Sequence, residues 1–300
     1  MNKLKKALWA LIPVGLMLLL SGCKAVVLEP RGIVAKDELD LLITAVLLMC
    51  IVVVPVIVLV FVIARRYRES NEKAKYDPDF SHSVKLELFW WLVPLAIIIV
   101  LATITWVTTH KLDPYRPLND KALGLKTKPL TVQVIALRWK WLFIYPQQHI
   151  ATVNYLQFPA HTQLKFLLTS DAPMNSFQIQ QLGGQIYTMN GMQTKLHLVA
   201  NKIGNYRGMA VSFSGTGFAN MHFVAHASSM QSFKRWVAQV KLSPNRLTMS
   251  EYQRLVQPTD TSPVIYYASV VPHLFHRVIH KFMGPMSERQ CDKTVKPLGL

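Results

Sequence analysis

Two long apolar runs dominate the first third of the chain, at 41–64 and 88–107, and neither contains a charged residue. A transmembrane helix needs about 20 apolar residues to cross a hydrocarbon core of about 30 Å. Trp90, Trp91 and Trp106 stand near the ends of the second run, where indole rings anchor a helix at the membrane surface. The pattern therefore predicts two transmembrane helices.

A shorter apolar run, at 7–20, follows a lysine-rich start and precedes a cysteine. This layout is typical of a secretory signal. Its ending, LSGC, resembles that of a bacterial lipoprotein signal, in which cleavage leaves the cysteine lipidated at the new N-terminus. We therefore interpret 1–22 as a signal peptide and Cys23 as the lipidation site. The alternative is an uncleaved anchor in which the cysteine is incidental.

The lipoprotein prediction also assigns each segment to one side of the membrane. A lipidated Cys23 lies outside the cytoplasmic membrane, so we expect 23–40 to be periplasmic. The loop at 65–87 is rich in lysine and arginine, which favours a cytoplasmic position. Everything from residue 108 onward is then predicted to be periplasmic, and we refer to it as the outer domain.

Beyond residue 130 the long apolar runs give way to short segments. The segments at 163–168 and 195–198 alternate apolar and polar residues, as half-buried strands do. Glycines separate such segments at the spacing of turns. We predict a β-sandwich in a domain at 108–240, followed by a helical tail at 241–300 whose first helical segment begins at Ser243.

The outer domain is strongly basic and poor in cysteine. From Lys111 onward there are 21 lysines and arginines against 7 acidic residues, which gives +14 of the total charge of +17. Such a surface attracts anionic lipid or acidic partners, or is simply solvated, and its location excludes nucleic acid. Cys50 falls in the first apolar run, which leaves Cys291 as the outer domain's one cysteine and excludes an intrachain disulfide there.

The stretch GNYRGMAVSFSGTGFANMHF, which starts at Gly204, has the turns and the Met-His pair of a metal-binding loop. Copper and zinc sites need thiolates or imidazoles that converge on one point. This stretch offers Met209, Met221 and His222 instead. Neighbouring strand residues point to opposite faces, so Met221 and His222 are poorly placed to share an ion. We predict that no metal binds here.

The same stretch resembles the copper loop of subunit II of the haem–copper oxidases. That family's pattern is Gly-x-Tyr-x-Gly-Gln-Cys-x-Glu-x-Cys-Gly-x-x-His-x-x-Met, with a further histidine in Asp-Val-x-His-Ser. The six ligand positions fall here on Asn175, Ala210, Ser212, Ser214, Phe218 and Met221. Met221 alone keeps its ligand type. The resemblance therefore implies the frame of a copper loop, with vestigial ligand positions and no binuclear copper.

This combination resembles the quinol oxidase branch of the family, subunit II of cytochrome bo-type ubiquinol oxidases. The likeness extends over WKWLFIYP, ATVNYLQFPA, QLGGQIYTMNGMQT and IIIVLATITWVTTHKL. It implies an α+β membrane protein: a two-helix transmembrane hairpin, a cupredoxin-like β-sandwich and a C-terminal helical tail. It also implies that this chain holds no cofactor, and that haems and copper lie in subunit I of a bacterial inner-membrane complex.

The resemblance implies a role in aerobic respiration, in a complex that oxidises ubiquinol, reduces oxygen to water and pumps protons. Subunits I, III and IV and membrane lipid would be the partners of this chain. Cytochrome c is not expected, because it is usually basic and a +14 outer domain would repel it. Two alternatives are a cytochrome c oxidase subunit II with its copper centre and a non-enzymatic envelope scaffold lipoprotein.

Glu87 stands just before the second apolar run. An acid in the first turn of a helix is favoured by the helix dipole, which is one interpretation. A carboxylate that faces a partner helix at membrane depth is instead a candidate proton carrier. The resemblance implies that Glu87 lies at the mouth of the K-type proton pathway into subunit I.

Two further groups of side chains have weaker assignments. Trp139 and Trp141 alternate with Lys140, so we expect both indole rings on one side of a strand, where they pack. Three histidines are expected near one face of a tail helix, as part of an amphipathic surface or, alternatively, as a metal site: His273, His276 and His280.

Overall fold

The apolar runs form two long helices, α1 at Ile33–Arg66 and α2 at Val84–Lys111. In this computed structural model, residues 25–71, 73–74, 79, 81–118 and 128–283 are described. Both helices are long and apolar enough to cross a membrane. A helix of 34 residues is about 51 Å long, so α1 extends well beyond a hydrocarbon core of about 30 Å.

Three predictions fall on residues outside the described ranges. These are the signal peptide at 1–22, the lipidation of Cys23 and the position of Cys291. They remain predictions from the sequence. Cys50, in contrast, lies on α1 as expected.

The outer domain is a sandwich of two β-sheets. Its described strands are β1 Leu130–Leu137, β2 Lys140–Tyr145, β3 Ile150–Val153, β4 Tyr155–Pro159, β5 Leu164–Ser170, β6 Asn175–Ile179, β7 Ile186–Thr188, β8 Thr194–Leu198, β9 Gly204–Ala210, β10 His222–Ser228 and β11 Ile265–Tyr267. One sheet has the order β11-β3-β2-β1-β5-β8 and the other β4-β10-β9-β6-β7. The pairs β1–β5 and β4–β10 are parallel. The predicted sandwich is therefore confirmed.

Aromatic rings fill the space between the two sheets. The rings of Phe177 and Phe223 stack with their centroids 5.2 Å apart, and Trp141 meets Phe177 edge-on at 5.3 Å. Such geometries add to the free energy gained by burying the rings. A Cβ atom on Gly208 would lie 2.0 Å from the Phe223 ring, so this strand position requires glycine. The core thus reaches to the strand that leads into the 210–221 loop.

The first membrane helix is joined directly to the sandwich. The backbone N–H groups of Arg31 and Gly32 both donate to the Gln181 carbonyl, at 2.8 and 3.0 Å. The Asn201 N–H donates in turn to the Arg31 carbonyl at 2.8 Å. A Cβ atom on Gly32 would come within 2.6 Å of the Leu182 carbonyl oxygen. The start of α1 is therefore held at the sandwich edge by backbone contacts.

The helical tail begins earlier than the sequence analysis placed it. Helix α3 spans Met230–Lys241, where Ser229 caps its start by accepting the Ser232 N–H at 3.1 Å. The remaining tail helices are α4 Met249–Val256 and α5 Leu274–His280. Between them β11 pairs with β3 and extends the sandwich. The start at Ser243 was wrong because an amphipathic face before it was overlooked.

Four polar side chains fasten the tail to the sandwich, and we call them the tail clamp: Lys140, Asp171, Tyr252 and Lys281. The buried Asp171 carboxylate accepts hydrogen bonds from the Tyr252 hydroxyl and the Lys281 ammonium, both at 2.7 Å. The buried Lys140 ammonium donates to the carbonyls of Leu255 and Gln257, both at 2.9 Å, which closes the end of α4. Burial lowers the pKa of Lys140.

Candidate functional site

The 210–221 loop, which carries most of the vestigial ligand positions, connects β9 to β10 and is closed by backbone hydrogen bonds. The Ala210 N–H donates to the Met221 carbonyl at 3.0 Å. Within the loop, the Phe218 N–H donates to Gly215 at 3.1 Å and the Met221 N–H donates to Phe218 at 3.0 Å. Gly215 has a φ of 113°, which favours glycine. The shape of this loop is therefore maintained by the main chain.

Trp139 packs over this loop rather than lying on a strand. It occupies the turn between β1 and β2 with a φ of 62°. Its indole N–H donates to the Ser214 carbonyl at 3.2 Å, and a Cβ atom on Gly217 would lie 2.4 Å from the ring. Trp141 is buried in the core instead. The expectation that both indoles share one strand face was wrong, because the hairpin turn intervenes.

The polar side chains at the vestigial positions are incompletely hydrogen-bonded. The Asn175 amide donates to the Pro173 carbonyl at 3.1 Å, but its buried Oδ1 has no hydrogen-bond partner in the described part of the chain. The buried Ser214 hydroxyl has none either. Ser212 shares a hydrogen bond of 2.8 Å with the Ser176 hydroxyl. Amide and hydroxyl groups of this kind are poor ligands for copper.

The other vestigial positions are apolar. Ala210 and Met221 are buried, whereas His222 is exposed, which agrees with the expected alternation. The Phe218 ring, at the position that the resemblance matches to a histidine, meets the ring of Phe213 at 5.6 Å. Within the described ranges, no three or more His, Cys, Asp or Glu side chains are grouped so as to hold a metal ion. Met221 contributes a lone thioether, which is a weak ligand.

Glu87 lies in the first turn of α2, after the N-cap residue Ser83. Its backbone N–H donates to the Ser83 carbonyl at 3.0 Å. Its carboxylate is exposed and lies 2.5 Å from Nδ1 of His82, which is exposed as well. The sequence analysis missed His82, although a histidine just before the helix was visible there. The two side chains form an exposed acid–imidazole pair at the N-terminal end of the helix.

The three tail histidines lie near one another at α5, although His273 is not part of the helix. His273 is the N-cap residue of α5 and has a left-handed φ of 60°, so it precedes the helix. His276 is half-buried and His280 ends the helix. Burial lowers the pKa of His276, and the neighbouring His273 and His280 lower it further. The expected proximity of the three histidines therefore holds, and within the described ranges no group of three or more His, Cys, Asp or Glu side chains could hold a metal ion.

Known proteins resemble this chain along most of its length. The family model named COX Aromatic Rich Motif matches residues 241–286. Cytochrome bo(3) ubiquinol oxidase subunit 2 of Pseudomonas aeruginosa is 51% identical over 265 residues, which cover 88% of this chain and 78% of that protein. The protein of the same name from Pseudomonas putida is 48% identical over 277 residues, covering 92% and 87%.

This chain belongs to the ubiquinol oxidase subunit 2 family. Membership agrees with the predicted quinol oxidase branch and favours neither the cytochrome c oxidase alternative nor the scaffold lipoprotein. The motif match coincides with the tail that the clamp fastens to the sandwich. Among solved structures, the periplasmic domain of cytochrome oxidase subunit II (CoxB) of Bradyrhizobium japonicum covers 38% of this chain and 95% of its own, at 18% identity and a TM-score of 0.36.

Proposed function

We propose that this chain is subunit 2 of a ubiquinol oxidase, the oxidoreductase complex that passes electrons from ubiquinol to oxygen. The observation that carries the proposal is the 51% identity over 88% of the chain. The vestigial ligand positions support it independently, because a subunit that receives electrons from a water-soluble cytochrome needs metal ligands that these positions lack. The tail clamp and the backbone hydrogen bonds that hold the start of α1 at the sandwich support a structural role for this subunit in the complex.

In this proposal the redox chemistry belongs to a partner. Haems and copper lie in subunit I, and this chain provides membrane attachment and a rigid periplasmic cover. Subunits III and IV complete the complex. Cytochrome c is not a partner, since the basic outer domain, at +14, repels a basic protein. Reduction of oxygen is coupled to proton pumping by the complex as a whole.

The proposed topology keeps the divisions derived from the sequence. The signal peptide at 1–22 is removed, Cys23 is lipidated and 23–40 is periplasmic. The spans are 41–64 and 88–107, on either side of the cytoplasmic loop 65–87. Everything from residue 108 onward, the sandwich together with its helical tail, is periplasmic. Mass analysis of the mature chain tests the lipidation: an N-terminal diacylglyceryl cysteine supports it, and an unprocessed Met1 contradicts it.

Glu87 is the proposed entry point for protons into the K-type pathway of subunit I. Its exposed carboxylate sits at the cytoplasmic end of a membrane helix, paired with His82 at 2.5 Å. Such a pair collects protons from bulk water and offers them to an acceptor in the membrane. The neighbouring Lys85 also lies in the first turn of α2, where it adds positive charge.

Glu87→Gln tests this role, because glutamine keeps the size of the side chain but has no carboxyl group that can take up and release a proton. We expect quinol-dependent oxygen uptake of the purified complex to slow several-fold. The matched control is Glu69→Gln, which removes an exposed acid from the same cytoplasmic loop. Unchanged turnover and pumping in the Glu87 variant would remove the residue from the proton pathway.

The assignment to a quinol oxidase is tested by purifying the chain with its partners in mild detergent. We expect haem to co-purify and the complex to consume oxygen with ubiquinol as donor. Activity with reduced cytochrome c but not with ubiquinol would favour the copper-bearing alternative. A complex without haem would favour the scaffold.

A further inference from the structure

A cavity of about 330 Å³ lies where the outer ends of α1 and α2 meet the sandwich edge. The ionisable residues that line it are Asp37, Glu38, Lys111, Asp113, Arg116 and His197. Glu38 precedes the apolar run at 41–64 by three residues, and Lys111 follows the run at 88–107 by four. At 1.5 Å per residue, both lie within about 6 Å of the predicted hydrocarbon boundary. The cavity is therefore at the depth of lipid headgroups.

Some charges in the cavity are already balanced within the protein. Lys111 and Asp37 form an ion pair of 2.9 Å that links the two helices. The His197 Nδ1–H donates to the Pro114 carbonyl at 3.0 Å. Burial lowers the pKa of His197, and the nearby Lys165 and Lys195 lower it further against the opposing effect of the Pro114 bond. His197 is therefore a neutral wall of the cavity near pH 7.

Three other charges in the cavity have no oppositely charged partner among the described residues. Glu38 is half-buried and accepts the Gly184 N–H at 2.9 Å, but no cationic side chain pairs with it. Asp113 accepts the Tyr115 N–H at 2.9 Å. The Arg116 guanidinium donates to the His110 carbonyl at 3.4 Å and meets no carboxylate. The cavity thus offers two carboxylates for a cation and one guanidinium for an anion.

We propose that this cavity binds the headgroup of a phosphatidylethanolamine-type phospholipid. Its primary ammonium has three N–H donors, which suit the carboxylates of Glu38 and Asp113. Its phosphate accepts hydrogen bonds from Arg116. Ile33, Val34 and Leu112 form an apolar wall on the sandwich side of the cavity. The glycerol and acyl chains of the lipid would extend the other way, along α1 and α2 toward the membrane.

The charge pattern distinguishes this lipid from the other common headgroups. A choline headgroup carries a quaternary ammonium and has no N–H to donate to Glu38. A glycerol headgroup lacks the cation altogether and brings an anion to a cavity that already holds unpaired carboxylates. The bound lipid would contact both membrane helices and the sandwich edge, and would therefore fix the angle between the hairpin and the outer domain.

The test uses the intact complex, stripped of lipid in detergent and supplied separately with phosphatidylethanolamine, phosphatidylcholine or phosphatidylglycerol. Native mass spectrometry then counts the lipids that remain bound. We expect one tightly retained phosphatidylethanolamine that neither other lipid replaces. Glu38→Gln removes the charge but keeps an oxygen that accepts the Gly184 N–H, and we expect it to weaken retention about tenfold, the loss of one charge-assisted interaction. Arg116→Gln, at an exposed position, should weaken it similarly.

Arg246→Gln is the matched control, because Arg246 is exposed and does not line the cavity. It should retain the lipid as the parent complex does. Equal retention of all three lipids, or unchanged retention in both cavity variants, overturns the proposal. Displacement by soluble glycerophosphoethanolamine at equal concentration also overturns it, since the ligand would then be a water-soluble amine. If Glu38→Gln lowers the unfolding temperature of the complex, its loss of lipid could result from instability. Lipid retention by the Arg116→Gln variant then decides between the outcomes.

Discussion

The 210–221 loop and the tail clamp lie in the same outer domain but are stabilised in different ways. The loop keeps its shape through backbone hydrogen bonds and the packing of Trp139, while buried oxygens of Asn175 and Ser214 lack hydrogen-bond partners. In the clamp, Asp171 has a partner on each carboxylate oxygen. The shape of the loop is set mainly by its backbone and should tolerate changes at its side chains, whereas the clamp is made of side chains and should be sensitive to their loss.

Among the substitutions that test this comparison, Asp171→Ala should lower the unfolding free energy most. It leaves the buried Tyr252 hydroxyl without its acceptor and Lys281 without its ion pair. Removing one partner of such a buried network costs about 3 kcal/mol of unfolding free energy. Thermal unfolding of the purified complex, together with protease sensitivity of the tail, measures the loss.

Lys281→Ala is the matched control for the clamp, because about half of the Lys281 side chain is exposed. Its loss leaves the buried Asp171 carboxylate without a counter-charge but still bonded to the Tyr252 hydroxyl, so we expect a smaller cost than for Asp171→Ala, about 1–2 kcal/mol. Equal effects of the two substitutions would show that the hydrogen bond to Tyr252 contributes little.

Gly217→Ala tests whether packing maintains the loop. The new methyl group would overlap the Trp139 ring, which a Cβ atom would approach to 2.4 Å. Overpacking of this kind costs about 2 kcal/mol. The unfolding temperature should fall, and Trp139 fluorescence should report a more exposed ring. Normal stability with unchanged fluorescence would mean that the loop adapts freely and that the packing does not determine its shape.

Acidification should weaken the joint between the hairpin and the sandwich. Burial holds the pKa of His197 below its ordinary value. Above about pH 6.5 the imidazole is neutral in both the folded and the unfolded chain, so its contribution to stability is complete. As the pH falls below that value, the unfolded chain gains a proton that the folded chain resists, and stability declines until the folded pKa is reached.

The measurement for His197 compares unfolding temperatures at about pH 7.5 and about pH 5.5, a range that brackets the ordinary histidine pKa. His197→Asn keeps a donor for the Pro114 carbonyl but does not titrate, so its pH dependence should be shallower than that of the parent complex. His276→Asn is a useful comparison, because burial lowers the pKa of His276 too. Identical pH dependence in the parent and the His197 variant would contradict the prediction.

Ser214→Ala should have the smallest effect, and in the opposite direction. The Ser214 hydroxyl is buried and has no hydrogen-bond partner among the described residues, so its removal relieves an unfavourable desolvation. The unfolding free energy should stay within about 0.5 kcal/mol of the parent value or rise slightly. Ser176→Ala is the contrast, because Ser176 donates to or accepts from Ser212 at 2.8 Å. A marked loss of stability in the Ser214 variant would indicate a water or partner that binds the hydroxyl.

The sequence predicted the fold class because its signals were local. Two uncharged apolar runs predicted the membrane helices. The period-two segments at 163–168 and 195–198 overlap strands β5 and β8. The vestigial ligand positions rest on the spacing of the copper loop in the resembling family and stay a prediction. Each of these signals is contained in a short stretch of chain.

Contacts between distant segments could not be read in the same way. The bond between Asp171 and Lys281 joins residues 110 positions apart, and nothing near either residue indicates the other. The placement of Trp139 depended on where the β1–β2 hairpin turns, a difference of one or two residues. The pairing of His82 with Glu87 could have been predicted, because both residues lie at the start of the same helix.

Copper content is the most direct test of the account, because its central claim is that the outer domain keeps a copper loop's shape without copper. The measurement is the copper stoichiometry of the purified intact complex, together with its near-infrared absorption. The account predicts copper only in the amount that a single site in subunit I requires, and no band from a thiolate-bridged copper pair. A further pair of coppers per complex, with that band, would contradict it.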